Sequence, residues 1–298
     1  MLTIPISCGD PAALFRPWAT QPWAMLLDSA APHPQNGRHS YIVAEPFQTV
    51  ESIGGRTLVD GAPVSGSPFD ALERALAAYP LPSIGPVPFT GGAVGFVGYE
   101  AGTALEGLRS RHGNPGGQPD MAFGLYDVVA AFDRKTQSAW AIAARPEAEE
   151  RARRMAARLS VPAPEQSAGP APLRWRSELS RPDYLDRVGR VLEYIRAGDI
   201  YQANFTQRFL ADVDGTLDAY ALYERLRRLS PAPFAAFLNC GPGCGWRVPR
   251  PSASSGCAPT GPSRRGRSRA PARAMPIRRP TRRPRQSCRP ASRTGRKT

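Results

Sequence analysis

Residues 194–209 read YIRAGDIYQANFTQRF, and the pattern changes its period in the middle of them. Before Gly198 the spacing is helical. Ser180 and Asp183 make a capping-box-like start, Leu185, Val188, Leu192 and Ile195 recur on one face, and Gly198 is a natural stop. This spacing predicts a helix whose stripe is buried. After Asp199 the residues alternate. Gln202, Asn204, Thr206 and Arg208 share one face, with Tyr201, Ala203, Phe205 and Phe209 on the other. The alternation predicts a strand whose polar face meets either solvent or a polar ligand. In the second case Gln202, Asn204 and Thr206 are the candidate lining residues. DAYALYERLRRL (218–229) predicts an amphipathic helix ended by SPAP, and FAAFLN (234–239) a strand expected to pair with the preceding one.

Helix, strand, helix and strand thus fill residues 179–240, and the unit is expected to start after a linker. VPAPEQSAGPAP opens a Pro/Ala/Gly connection, placed at 161–178. The first domain then covers 1–160. There WAMLL (23–27) and YIVAEPFQTV (41–50) read as strands about the polar loop APHPQNGRHS. SPFDALERALAAY (67–79) reads as a helix capped by Ser67, with Pro68 at its first position and a stripe of Leu72, Ala75, Leu76 and Tyr79. MAFGLYDVVAAFD (121–133) and SAWAIAA (138–144) predict a hairpin of two buried strands, and PEAEERARRMAARLS (146–160) a second helix. The fold class expected is α+β.

The charge is unevenly placed. The 298 residues carry a formal charge of +14, yet the sixteen basic residues from Gly241 onward face no Asp or Glu at all. That leaves 23 of the 39 basic residues and all 25 acidic ones in residues 1–240, a net of −2. Four of the five cysteines (Cys240, Cys244, Cys257, Cys288) fall at or after the same point, so residues 1–239 hold only Cys8 and no disulfide framework is expected. No apolar run approaches the ~20 residues of a membrane span. The opening MLTIPISCGDPAALF has no basic segment followed by an apolar one, so no signal peptide is expected and the default location is the cytoplasm.

Two motifs invite chemistry and do not carry it. In GGAVGFVG, Gly92, Gly95 and Gly98 lack the G-x-G-x-x-G spacing and precede no helix start, so a tightly packed strand is expected rather than a phosphate loop. Cys240 and Cys244 have no zinc spacing and no nearby histidine, since His33, His39 and His112 lie far upstream; no metal site is expected.

Taken together, YIRAGDIYQANFTQRF and SPAPFAAFLN resemble the signature of the chorismate-utilising enzymes. PWAMLLDSA, NGRHSYIVAEP, FTGGAVGFVGYE and PDMAFGLYD look like the N-terminal domain of the same family. Among its branches, component I of aminodeoxychorismate synthase fits better than anthranilate synthase component I. PAPFAAFL stands where the latter usually shows Pro-Ser-Pro-Tyr-Met, and PWAMLLDS where it usually shows Leu-Leu-Glu-Ser. The resemblance implies amination of chorismate with ammonia from a glutamine amidotransferase subunit, with Mg²⁺ neutralising the substrate carboxylate. It implies a lysine nucleophile in a Pro-Ile-Lys-Gly-Thr motif and a glutamate acid/base in Ser-Pro-Glu-Arg. It also implies a tryptophan site in some members, at positions matching Ser29, Asn36, Gly37, Arg38, His39, Pro233, Phe234 and Ala235 here. The NGRH loop is less aromatic than the family's.

Neither catalytic motif occurs after AFLN in this chain; an arginine-rich stretch stands there instead. Read from the third base of each codon, the stretch has a simple origin. Pro249–Gly256 can be encoded so that the shifted frame gives Ser-Pro-Glu-Arg-Leu-Leu-Arg. Arg264–Ala274 can give Pro-Ile-Lys-Gly-Thr, and Ser292–Thr298 Lys-Asp-Arg-Ala-Glu-Asn. Three family motifs in order in one frame point to a frameshift near residues 240–245. The expected organisation is therefore a truncated start of the chorismate-binding domain at 179–240 and an out-of-frame, disordered basic tail at 241–298. The chain is expected to lack catalytic residues and to be inactive alone. Outside the family, a nucleic-acid-binding protein would use such a tail through salt-dependent, non-specific phosphate contacts.

Overall fold

The structure, a computed structural model, describes residues 1–31, 36–80, 85–106, 118–161, 173–213 and 217–241. Most of the expected linker and the tail from residue 242 lie outside the described residues.

Along the chain, β1 (Leu2–Ile6) and α1 (Pro11–Phe15) lead into β2 (Met25–Asp28) and β3 (His39–Val43). A meander of β4 (Gln48–Ile53), β5 (Arg56–Val59) and β6 (Ala62–Val64) precedes α2 (Pro68–Ala78). There follow β7 (Gly92–Val97), α3 (Tyr99–Leu105), β8 (Met121–Tyr126), β9 (Val128–Asp133), β10 (Ser138–Ala143) and α4 (Glu149–Leu159). After them come β11 (Trp175–Ser177), α5 (Arg181–Ala197), β12 (Phe209–Ala211), α6 (Ala219–Leu229) and β13 (Ala235–Leu238).

Two antiparallel sheets stack face to face between helices. The first has the order β1-β10-β9-β3-β2-β13, the second β6-β5-β4-β8-β7. Alternation assigns each face its core. Leu26, Ile42, Ala130 and Phe132 point to α1, α4 and α6, where Phe15, Ala152, Leu159 and Tyr220 meet them. Met25, Val43 and Val129 point the other way, onto Val94, Ala122 and Tyr126 of the second sheet. That sheet's outer face, with Val50, Met121 and Leu125, is covered by Ala71 and Ala75 of α2. Ser67 caps α2 by accepting from the Phe69 amide at 3.2 Å, and Pro68 fills its first position, as the sequence indicates.

The glycine-rich run is a strand as expected, but a short helix, α3, does start directly after it at Tyr99, against expectation; one glycine explains the run's composition. A Cβ on Gly95 of β7 would lie 1.9 Å from the Ala122 carbonyl oxygen of β8. The two strands approach too closely there for any side chain.

Three further expectations are corrected. MAFGLYDVVAAFD is not one strand of a hairpin: it breaks at Asp127, so that β8 belongs to the second sheet and β9 to the first. Asp127 is fully buried at the crossing, 2.8 Å from the Arg151 guanidinium and 3.1 Å from Arg145 Nε. Arg145 in turn lies over the rings of Phe47 and Tyr79.

FAAFLN does not pair with the strand before it. β13 pairs with β2, with Ala235 opposite Asp28 and Leu238 opposite Met25. Phe237 is thereby set among Phe15, Tyr220 and Tyr223, an aromatic cluster that α6 brings to the sheet.

The stretch that opened the sequence analysis departs furthest. α5 forms as expected: Ser180 accepts from the Asp183 amide, and Gly198 (φ +77) closes the helix in the left-handed region. Its stripe is not buried. Leu185 is 52 % exposed, Leu192 45 % and Ile195 37 %, and no residue of α5 is buried. Residues 200–208 form no ladder; only Phe209–Ala211 is a strand, paired with Trp175–Ser177. Period-2 alternation needs a neighbouring strand to become a sheet, and among the described residues none lies alongside 200–208.

Candidate functional site

Strands β2, β3 and β13 end at the same edge of the first sheet, and the connection between β2 and β3 turns there. Gly37 makes the turn. Its φ is +74, and a Cβ would lie 2.8 Å from the Ala31 carbonyl oxygen. Ser29, the residue after β2, fixes the three strand ends to one another. Its amide donates to Ser40 Oγ at 3.0 Å, and its hydroxyl reaches the His39 carbonyl at 2.6 Å and the Pro233 carbonyl at 3.3 Å. Arg134 also donates to the Ser29 carbonyl.

These contacts frame a cavity of ≈ 460 Å³, within the roughly 300–1,000 Å³ typical of small-molecule sites. Ser29, Asn36, Gly37, Arg38, His39, Pro233, Phe234 and Ala235 all line it, so the eight positions read from the sequence come together although about 200 residues of chain separate the two groups. Leu27, Tyr41 and Ala236 add apolar surface from the strands, and Pro88 from the loop before β7. Tyr41 stacks with His39 and meets Phe89 edge to face. Phe234 is 79 % exposed at the rim.

One buried carboxylate organises the polar side. Asp133, the last residue of β9, accepts from Arg38 Nε at 3.0 Å and from its Nη2 at 2.6 Å, and from the Lys135 amide at 2.9 Å. The Arg38 guanidinium, followed by the Lys135 and Thr136 amides, holds the Asp133 carboxyl far below the usual carboxylate range. His39 Nε2 is 3.8 Å from Asp133. Burial nevertheless lowers the His39 pKa, outweighing that carboxylate, so the ring is neutral near pH 7. Burial likewise raises Tyr41. The cavity thus offers one fixed cation, a neutral imidazole and two rings. Asp133 and Tyr41 were missed from the sequence. Asp133 is 95 positions from Arg38, and the only signal was an acidic residue closing an otherwise apolar strand.

A second cavity of ≈ 450 Å³ lies beside the first and is lined by Cys8, Asp10, Arg134 and Arg227. Its charges are already matched. Arg227 bridges Asp28 of β2 at 2.5 Å and Asp10 at 2.8 Å, and Tyr223 donates to Asp28 at 3.1 Å. Burial pushes the Cys8 thiol up, away from the thiolate a nucleophile needs.

Gln202, Asn204 and Thr206 are exposed and line neither cavity. Among the described residues there is no group of three or more His, Cys, Asp and Glu that could hold a metal ion. No helix among them is long and apolar enough to cross a membrane.

Comparison with known proteins shows the family. The family of chorismate binding enzymes matches residues 25–246, and the chain belongs to that family. It is 34 % identical over 246 residues to aminodeoxychorismate synthase component 1 of Salmonella typhimurium, covering 80 % of this chain and 53 % of that protein. It is 32 % identical over 252 residues to anthranilate synthase component 1 of Geobacillus stearothermophilus, covering 72 % and 48 %. The solved anthranilate synthase component I of Streptococcus pneumoniae superposes with a TM-score of 0.57 at 26 % identity, over 67 % of this chain and 47 % of that one. The chain thus spans about half the length of the relatives it matches.

Proposed function

We propose that the chain is the N-terminal half of an aminodeoxychorismate synthase component I. In this reading the whole protein aminates chorismate to 4-amino-4-deoxychorismate, toward 4-aminobenzoate and folate, in the cytoplasm, with ammonia from a glutamine amidotransferase subunit. The observation that carries it is the match over 80 % of the chain to proteins of that name, joined by PAPFAAFL and PWAMLLDS in place of the anthranilate synthase patterns. The 298 residues themselves carry neither Pro-Ile-Lys-Gly-Thr nor Ser-Pro-Glu-Arg. Arginine side chains, always protonated near neutral pH, cannot replace a lysine nucleophile or a glutamate acid. The chain alone therefore does not turn over chorismate.

The test compares two genes in the same assay, ammonia-dependent loss of chorismate with Mg²⁺ present. The 298-residue chain is expected to give none. A single-base correction near codon 242 restores both motifs, and its product, passed to a lyase, is expected to yield 4-aminobenzoate. Turnover by the uncorrected chain would overturn the truncation, and anthranilate from the corrected one would overturn the choice between the two synthases.

The cavity beside β2 has a separate role in this reading, as a seat for an amino acid with an aromatic side chain. Tyr41, His39 and Phe234 supply ring surfaces, and Ser29 and Arg38 polar contacts. Free tryptophan at about 100 times its Kd then stabilises the fold by roughly 2.7 kcal/mol, read as a rise in melting temperature. Gly37→Val, which drives a side chain onto the Ala31 carbonyl, is expected to abolish the rise. A rise of equal size with glycine or alanine would exclude the reading.

A further inference from the structure

We infer that a small cavity between α4 and the turn after β3 is a binding site for a single phosphate group. It shares no residue with the cavity beside β2 and is independent of the choice between the two synthases.

The helix supplies the charge. Arg151, Arg154 and Arg158 follow one another at i, i+3 and i+7, which sets them on one face of α4. All three line a cavity of ≈ 170 Å³, with Trp18, Val128 and Met155 as its apolar wall. Two of the three are held in place by the body. Arg151 is 2.8 Å from the buried Asp127 and donates to the Glu45 carbonyl at 3.4 Å. The Arg158 guanidinium lies over the Trp18 ring, 4.2 Å from its centroid, and donates to the Pro17 carbonyl at 2.7 Å. The Gln21 side-chain oxygen, with the amide turned to accept, is 3.0 Å from the same guanidinium. These acceptors orient Arg158 and leave its charge uncompensated.

The charges around the cavity do not balance. Arg145 and Arg151 share Asp127. Arg154 has Glu45 at 3.9 Å, with both side chains more than half exposed, and an exposed pair of that length holds little. Among the described residues no carboxylate pairs with Arg158. Four guanidinium groups therefore meet two carboxylates, an excess of 4 − 2 = 2 positive charges. A concave wall of one sign concentrates counter-ions, and the guanidinium fork matches phosphate oxygens. The cavity is smaller than the roughly 300–1,000 Å³ of ordinary small-molecule sites, so it admits one such group and no larger body. Glu45 is the resident competitor. Its backbone is left-handed (φ +54), which holds it at the rim, and its carboxylate stands beside Arg154 where the phosphate oxygens go.

The full 298-residue chain is titrated with inorganic phosphate near pH 7 at constant ionic strength, and the rise of its melting temperature with concentration gives the Kd. The basic stretch from residue 242 is the same in every variant, so a difference between variants reports the cavity. Arg154→Ala combined with Arg158→Gln is expected to weaken phosphate binding at least about tenfold, the scale of one lost charge-assisted contact. Glu45→Gln keeps the backbone and removes the competing charge, and is expected to tighten binding about threefold. That second variant decides the matter even where the double variant fails to fold. An unchanged or weakened affinity in Glu45→Gln overturns the proposal. So does wild-type affinity in the double variant, or a rise that sodium chloride reproduces. Methyl phosphate is the second probe. Binding as tight as that of phosphate supports the cavity as the seat of a phosphoryl group carried by a larger molecule, and phosphate binding without it supports the cavity with the free ion as occupant.

Discussion

Asp133 and Asp127 show how much of this molecule depends on single buried carboxylates. Asp133 is held ionised by Arg38, so its native pKa lies below the ordinary 3.8. A depressed carboxylate contributes stability above its unfolded pKa and loses it as pH falls through that value toward the native one. His39 acts in the same direction. Its native pKa is lowered from 6.5, so the unfolded chain takes up a proton first and stability falls below that pH. The melting temperature is therefore expected to drop from pH 7 to pH 3. His39→Gln should flatten the upper part of the profile and Asp133→Asn the part below pH 4. An Asp133→Asn profile parallel to wild type in that lower range would contradict the assignment. At Asp127 the loss is of another kind. Asp127→Asn leaves Arg145 and Arg151 without their shared counter-charge, and breaking a buried pair in this way costs about 3–5 kcal/mol. Chemical denaturation of the purified variant measures it. Residue-level reading of the sequence found the eight cavity positions through family resemblance, but not Asp133 or Tyr41. Resemblance transfers the residues that touch a ligand in relatives, whereas the carboxylate that orients Arg38 is fixed only by tertiary packing.

At the scale of elements, local signals were legible and pairings were not. Caps and stops fixed α2 and α5, because a serine oxygen and a left-handed glycine act within a few residues. Strand partners are set by distant chain. MAFGLYDVVAAFD gives no sign that Asp127 will change sheets, and FAAFLN none that its partner is β2 rather than the preceding alternation. α5 is the sharpest case, where correct local structure carries an unburied stripe. Segments with few buried apolar contacts open at low free energy. Amides of 181–197 are expected to exchange orders of magnitude faster in the isolated chain than those of 128–133, which are wholly buried. Equal protection of the two would mean that α5 is anchored by something other than its apolar face.

For the molecule as a whole, α6 and β13 belong physically with the first strands. Arg227 joins Asp10 and Asp28, Arg16 joins Glu224, and the Tyr220 hydroxyl bonds the Ala12 carbonyl at 2.6 Å. The two ends of the described chain are therefore expected to melt in one transition. A chain cut after residue 213 should lose that transition and the cavity beside β2 together, seen as lost near-ultraviolet dichroism. If the shortened chain melts cooperatively with unchanged midpoint, the joint body is refuted.

The pairing of β13 with β2 also sets a clock during synthesis. Asp28 emerges early, but its partner Ala235 is 207 positions later. At ~5–20 residues per second the ribosome needs roughly 10–40 s to supply it. Throughout that interval one edge of β2 has no strand to accept its hydrogen bonds, and the Phe15 ring has neither Tyr220 nor Phe237 against it. The nascent chain must be kept from other chains for that long, so its yield in a cell depends on holding chaperones and on translation speed ahead of codon 235, more than on the stability of the finished sheet.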